Sequence, residues 1–166
     1  MSNSRPQRIP AYLVVRDVLL VALTAAAWWL DARFGRASLP VGVLAGVLTA
    51  VTGFLAHEYG HLAASLASGA QVTYPRSALS TLLFHFDSAR NDRRQFLWMS
   101  LGGYAATALA VGLIAVLAPL EATSGRTALL LAAGGMVVTF VLEVPITVGV
   151  LRGGPLPLGV AYRPHE

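Results

Sequence analysis

The sequence lacks two residue types, and it contains few charged residues of any kind. It has no cysteine, which excludes disulfides and thiolate metal sites, so that histidine and carboxylate side chains would have to hold any metal. Lysine is also absent, and all 12 basic residues are arginine. Charged residues make up only 12% of the 166 residues, whereas 55% are hydrophobic. This balance is too apolar for a soluble domain of this size and predicts one integral membrane domain.

Four apolar stretches are long enough to cross a bilayer, which takes about 20 residues. They predict helices over residues 12–30, 41–67, 96–118 and 128–151. The fold class is therefore an all-α membrane protein with four transmembrane helices. Its predicted parts are an N-terminal segment (1–11), a membrane domain (12–151) and a tail (152–166).

Two smaller features of the sequence also carry structural predictions. Residues 71–83 include β-branched and aromatic side chains, which allow a short hairpin in the middle loop. The pairs Gly102–Gly103 and Gly134–Gly135 lie within the third and fourth helices. Small residues let helix backbones approach closely in lipid, so both pairs predict close helix packing. The alternative is that either pair leaves room for a substrate helix.

The arginines outside the spans indicate an orientation. Eight lie in the N-terminal segment, the middle loop and the tail, whereas the other two loops carry three. The positive-inside rule then places both termini and the middle loop in the cytoplasm, in a multi-pass protein of the cytoplasmic (inner) membrane. The same rule accounts for the net charge of +4. We therefore expect a lipid bilayer as the surroundings and no nucleic-acid partner.

The second helix contains the pattern H-E-x-x-H, from His57 to His61. Residues four apart share one face of a helix, so His57 and His61 can direct two imidazoles at one metal ion. Glu58 lies beside the first histidine, where it can act as general base toward a water at the metal. Three ionisable residues within five positions of a membrane span are costly to insert, which favours a functional site.

A catalytic zinc ion usually has three protein ligands, and the third must come from elsewhere in the chain. Glu143 is the preferred residue. At 1.5 Å per residue it lies roughly 12 Å from the cytoplasmic end of its helix, and the histidines lie roughly 10 Å from the end of theirs. The alternatives are His85 and Asp87 in the middle loop. The other interpretation of Glu143 is a helix-end carboxylate paired with Arg152 or another polar group.

The segment Phe54–Ala64 resembles the active-site helix of the site-2 protease family of intramembrane zinc metalloproteases, which typically shows H-E-x-G-H. Gly60 fits that motif, and Gly69 matches a glycine that is common in the family after this helix. The segment Ser100–Ala106 is similar to a small-residue segment of the family, without its proline and asparagine. The resemblance covers about residues 41–151. It implies a three-helix catalytic core, a Zn²⁺ cofactor and hydrolysis of a peptide bond in or near a transmembrane segment of another membrane protein. His57 and His61 would be metal ligands and Glu58 the catalytic residue.

One departure from the family pattern leaves alternatives open. Where the family usually has L-D-G and an aspartate ligand, this chain has Leu151-Arg152-Gly153, and arginine cannot bind zinc. Either Glu143 supplies the third ligand from another position, or the protein is an inactive pseudoprotease or membrane chaperone that keeps the fold. A membrane oxidoreductase with a histidine-rich iron or copper site is a further alternative, but few ligands are visible for a di-iron cluster.

Overall fold

The computed structural model of the protein describes residues 8–34, 38–158 and 162. Within them lie four α-helices: α1 (Ala11–Arg33), α2 (Leu39–Ala67), α3 (Arg93–Leu117) and α4 (Thr123–Leu151). All four are long and apolar enough to cross a membrane, which confirms the predicted four-helix membrane fold. Most of the predicted N-terminal segment (residues 1–7) and parts of the tail (159–161 and 163–166) lie outside the described residues.

α3 and α4 begin three and five residues earlier than hydropathy predicts, because polar residues also form their first turns. α3 begins at Arg93 instead of residue 96, since Asp92 caps it. The Asp92 carboxylate accepts a hydrogen bond from the Gln95 N–H at 2.8 Å, and the Gln95 side chain accepts one from the Asp92 N–H at 2.9 Å. α4 begins at Thr123, where the hydroxyl of Ser124 donates to Asp31 of α1 at 2.7 Å. Hydropathy does not detect polar turns of this kind.

α2 is the central helix and contacts α1, α3 and α4. Its glycines allow two of these contacts to be very close. A methyl group on Gly60 would lie 2.5 Å from Cβ of Ala106, and one on Gly102 would lie 2.5 Å from Cβ of Ala64. Similarly, a methyl group on Gly46 would lie 2.5 Å from Cβ of Thr127 in α4. Backbone approach at small residues therefore holds α2 against α3 and α4, as the third-helix glycine pair predicted.

The prediction for the fourth-helix glycine pair is wrong. Among the residues that the structure describes, nothing beyond the helix's own backbone lies within 4 Å of a methyl group built on Gly134 or Gly135. Gly135 instead lines a small cavity together with Phe54 and His57. The backbones at this level of α4 are too far from their neighbours for glycine to be required by packing. The composition of a helix does not show which of its glycines face a neighbouring helix.

α1 is attached to α2 by polar contacts within the spans. The Trp28 indole N–H donates to the Thr49 hydroxyl at 2.7 Å, and the hydroxyls of Thr24 and Thr52 lie 2.9 Å apart. Hydrogen bonds between helices are favourable where no water competes for the same groups. Many large apolar side chains on all four helices are exposed, as expected for surfaces that face lipid.

A small antiparallel hairpin lies between α2 and α3. Its strands are β1 (Val72–Thr73) and β2 (His85–Phe86), and Val72 pairs with Phe86. β1 lies within the predicted range 71–83, whereas β2 lies two residues beyond it. The hairpin forms one side of the main hydrophobic core, which collects buried side chains from all parts of the chain: Leu13, Leu62, Ala70, Val72, Leu83, Phe84, Phe86, Phe96, Met99 and Val150. This core holds the middle loop against the helical residues that form the site described next.

Candidate metal centre

The structure brings His57, His61 and Glu143 together from two helices. The Nε2 atoms of the two histidines lie 3.0 Å apart. The Glu143 carboxylate reaches both rings, with Oε1 at 3.3 Å from His57 Nε2 and Oε2 at 3.4 Å from His61 Nε2. Both histidines are buried, and Glu143 is partly buried. Glu143 therefore faces the histidines and not Arg152, as the depth argument predicted.

Hydrogen bonds at the opposite ring nitrogens orient both imidazoles. His61 Nδ1 lies 2.8 Å from the carbonyl oxygen of Met99, which can only accept a hydrogen bond. The Thr107 hydroxyl donates to the Gly103 carbonyl at 3.0 Å. Its oxygen, Oγ1, lies 2.8 Å from His57 Nδ1 and can accept a hydrogen bond from it. Both Nδ1 atoms are therefore assigned as proton donors, so that in the neutral imidazoles the Nε2 atoms carry the free lone pairs. This arrangement is typical of histidines that bind a metal through Nε2.

The four convergent atoms are all acceptors in this state, and this fits a cation. The two imidazole Nε2 atoms lie 3.0 Å apart, and each lies 3.3–3.4 Å from one oxygen of the same carboxylate. Such a group is unfavourable unless a positive charge lies among its members. Donors bound tetrahedrally at 2.0–2.1 Å from zinc would lie roughly 3.3 Å apart, close to these distances. The three residues therefore form a group that could hold a metal ion.

Glu58 is held beside this cluster by the main chain of the middle loop. Its Oε2 accepts a hydrogen bond from the Leu83 N–H at 3.0 Å, and the Glu58 side chain is buried. Glu58 lines a cavity of about 100 Å³ that it shares with His61 and Glu143. Because Leu83 occupies one carboxylate oxygen, the other can interact with a water molecule in the cavity.

α1 fixes the path of the loop that presents the Leu83 N–H. Arg16 donates to the carbonyls of Ala78 at 3.3 Å and Ser80 at 2.9 Å, and its Nε lies 2.7 Å from Asp17. The hydroxyl of Tyr12 donates to the Pro75 carbonyl in the same loop. α1 lies outside the predicted catalytic core, yet it supports the segment that contacts Glu58.

Asp17 also connects α1 to the H-E-x-x-H segment itself. The hydroxyl of Tyr59 donates to Asp17 Oδ2 at 2.7 Å. Asp17 is only 5% exposed, so its charge depends on Arg16 and Tyr59 for compensation. Tyr59 and Gly60 are the two unspecified positions of the H-E-x-x-H motif. Gly60 contacts α3, and Tyr59 contacts α1.

The alternative third ligands do not join the metal cluster. Asp87 accepts a hydrogen bond from the Ala89 N–H at 3.0 Å and forms an ion pair with Arg90 at 3.2 Å. His85 lies in β2, where it pairs with Thr73. Among the described residues, the group with metal-binding geometry consists of His57, His61 and Glu143.

Several residues of the site have no signal in the sequence. The Thr107 hydroxyl, the Met99 carbonyl and the Gly103 backbone contact the histidines only because α3 packs against α2 in one register. Gly103 was identified as a packing residue, and its particular contact is the His61 ring. Tyr162, beyond α4, also lines the cavity, and no spacing in the chain indicates this.

Comparison with known proteins does not assign the chain to a family. No protein-family model matches it, nor does any curated protein or solved structure. The resemblance of its motif to site-2 proteases therefore remains a prediction from the sequence, and the functional argument rests on the geometry above.

Proposed function

We propose that the protein is an intramembrane zinc metalloprotease that hydrolyses a peptide bond in or near a transmembrane segment of another membrane protein. The observation that carries the proposal is the convergence of His57, His61 and Glu143, with Glu58 in the same cavity. Two histidines and a glutamate are a common ligand set of catalytic zinc in hydrolases. The cluster lies within helices long enough to span a membrane, which favours a substrate that is also in the membrane.

The residues of the site would divide the chemistry among them. His57, His61 and Glu143 would hold the metal, which when bound supplies a Lewis acid and lowers the pKa of a water molecule to about 7. Glu58 takes the proton of the attacking water and delivers it to the leaving amide nitrogen. The Leu83 N–H keeps the Glu58 carboxylate in place during both transfers. Thr107 and the Met99 carbonyl keep the imidazoles oriented.

Glu143 bears on the choice between an active enzyme and a pseudoprotease. The family pattern would place an aspartate ligand where this chain has Arg152, which is exposed at the C-terminal end of α4. Glu143 lies about two helical turns earlier and already reaches both histidines. The substitution at position 152 therefore does not deprive the site of a third ligand. This favours activity over an inactive relative.

The proposed orientation follows from the arginines. We propose the cytoplasmic membrane as the location, with both termini and the hairpin on the cytoplasmic side. The metal cluster would then be nearest to the cytoplasmic face. Reporter fusions after residues 34, 90, 121 and 158 would test the orientation, since the first and third should report the opposite side from the second and fourth.

The central experiment compares wild type with Glu58→Gln and His57→Ala/His61→Ala after purification in detergent. We expect about one zinc per chain for wild type and Glu58→Gln, and none for the double variant. Each protein is then reconstituted with solubilised membrane proteins from its own source, and new protein termini are mapped by mass spectrometry. Cleavage should require both Glu58 and zinc. Full zinc occupancy without Glu58-dependent termini would instead identify a pseudoprotease.

A further inference from the structure

The cavity beside the metal cluster has a mixed lining. Glu58, His61 and Glu143 supply its ionisable groups. Most of its other lining residues are aromatic or aliphatic and come from the hairpin, α3 and α4, among them Phe84, Phe86, Phe96, Met99 and Ile146. A substrate with its scissile bond at the metal cluster would place a neighbouring side chain against these apolar residues.

Tyr162 completes the wall of this cavity from beyond the end of α4. Its ring lies 6.0 Å from the ring of Phe96, which in turn lies 5.9 Å from Phe86. Burial, together with the nearby charges of Glu143 and Glu58, raises the pKa of Tyr162 to about 12. The phenol is therefore neutral at physiological pH and adds no charge to the cavity.

Residues 154–157, which follow α4, are attached to the rest of the protein. The Ser88 hydroxyl donates to the Pro157 carbonyl at 2.9 Å, and the Gly154 N–H donates to the Gly149 carbonyl at 2.9 Å. The Leu156 side chain packs against the main hydrophobic core. Tyr162 itself packs against the same core, so its position in the cavity wall is supported by several contacts.

We infer that Tyr162 is a specificity-determining residue, which limits the size of the substrate side chain accepted next to the scissile bond. The inference rests on the proposed function. The metal and its water would take part of the cavity of about 100 Å³. The remainder suits one apolar side chain of medium size, such as valine or leucine. A larger aromatic side chain would collide with Tyr162.

The test uses zinc-loaded protein and a series of N-acyl amino-acid hydroxamates with alanine, valine, leucine, phenylalanine or tryptophan side chains. The hydroxamate binds the metal, so its side chain samples the adjoining cavity without any need for a known substrate. Wild type should bind the valine or leucine compound at least tenfold more tightly than the tryptophan compound, since pocket fit changes affinity by 10–200-fold. In Tyr162→Ala the preference should move to phenylalanine or tryptophan, with their affinities at least fivefold higher.

Two variants serve as matched controls. Tyr162→Phe keeps the ring and should keep the wild-type size preference. Leu158→Ala changes an 86% exposed residue of the same segment and should have no effect. Zinc content and thermal stability are measured for every variant, so that an unfolded protein is recognised.

The outcomes separate this inference from the proposed function. Absence of zinc in wild type would refute the proposed function itself. With zinc present, an unchanged size preference in Tyr162→Ala would overturn the role of Tyr162 and leave the metal centre intact. Failure of every hydroxamate to bind the zinc-loaded protein would also overturn the role of Tyr162, because the cavity would then admit no side chain.

Discussion

Gly103→Ala should disrupt the metal centre without changing any of its ligands. The added methyl group would lie 2.5 Å from His61 Nδ1 and nearer still to two other ring atoms. Ordinary contacts to carbon begin at about 3.5 Å, so the ring would have to move by about 1 Å. Metal sites tolerate ligand displacements of roughly 0.2 Å. The displaced ring would also lose its hydrogen bond to the Met99 carbonyl.

We expect the zinc affinity of Gly103→Ala to fall by at least about 100-fold, because changes outside the ligand set already cost 10–100-fold. Titration of the metal-free protein against a chromogenic chelator would measure the affinity, and elemental analysis would measure the zinc content. The matched control is Gly112→Ala in the same helix, where nothing beyond the helix's own backbone lies within 4 Å of the new methyl group. This control should bind zinc normally and gain up to about 1 kcal/mol of stability.

The outcome has a clear opposite. If Gly103→Ala binds one zinc ion with wild-type affinity, the His61 ring does not occupy its position against α3 when metal is bound. The orientation of the imidazoles by the α3 backbone would then be wrong. If Gly103→Ala also loses its helical circular dichroism, the same substitution would be tested in a background stabilised by Gly112→Ala.

The remaining predictions concern the contacts that support the site. Thr107→Val removes the nearer of two acceptors at His57 Nδ1 and leaves the Gly103 carbonyl at 3.2 Å, so it should weaken zinc binding by 10–100-fold. Thr107→Ser should bind zinc as wild type does, and wild-type affinity in Thr107→Val would exclude this role of the hydroxyl. Tyr59→Phe removes the hydrogen bond to buried Asp17 and should lower the free energy of unfolding in detergent by about 1–3 kcal/mol without loss of zinc. A change below about 0.5 kcal/mol would show that Arg16 alone compensates Asp17.

Much of the fold follows from the sequence, because spans of this length and hydropathy have few alternatives to helices. Most of the candidate site could also be predicted from the sequence. The spacing of His57 and His61 fixes a shared helix face, and the position of Glu143 along its span places it at a similar depth. Each of these two features depends on a single helix, so it can be predicted without knowledge of how the helices pack.

The features that could not be predicted from the sequence depend on how pairs of helices pack. Which glycines approach a neighbouring helix is set by the rotation of each helix, so Gly103 lies against His61 whereas Gly135 faces a cavity. Likewise, the sequence shows Thr107 only as one of several small polar residues in the spans. Its contact with His57 follows from the register between α2 and α3. The second hairpin strand lies at His85–Phe86 because of its pairing with Val72–Thr73, and propensity in residues 71–83 contains no information on this partner.

The hydrogen bonds that join the middle loop to α1 and to Glu58 use the main chain of the loop. Tyr12 and Arg16 bind backbone carbonyls, and the Leu83 backbone N–H binds Glu58. Any residue offers a carbonyl, and any residue except proline offers an N–H. The exposed positions of this loop could therefore change freely among related proteins, whereas an insertion or deletion would shift the Leu83 N–H away from the Glu58 carboxylate. Selection on this segment should act on its length more strongly than on its amino-acid identity.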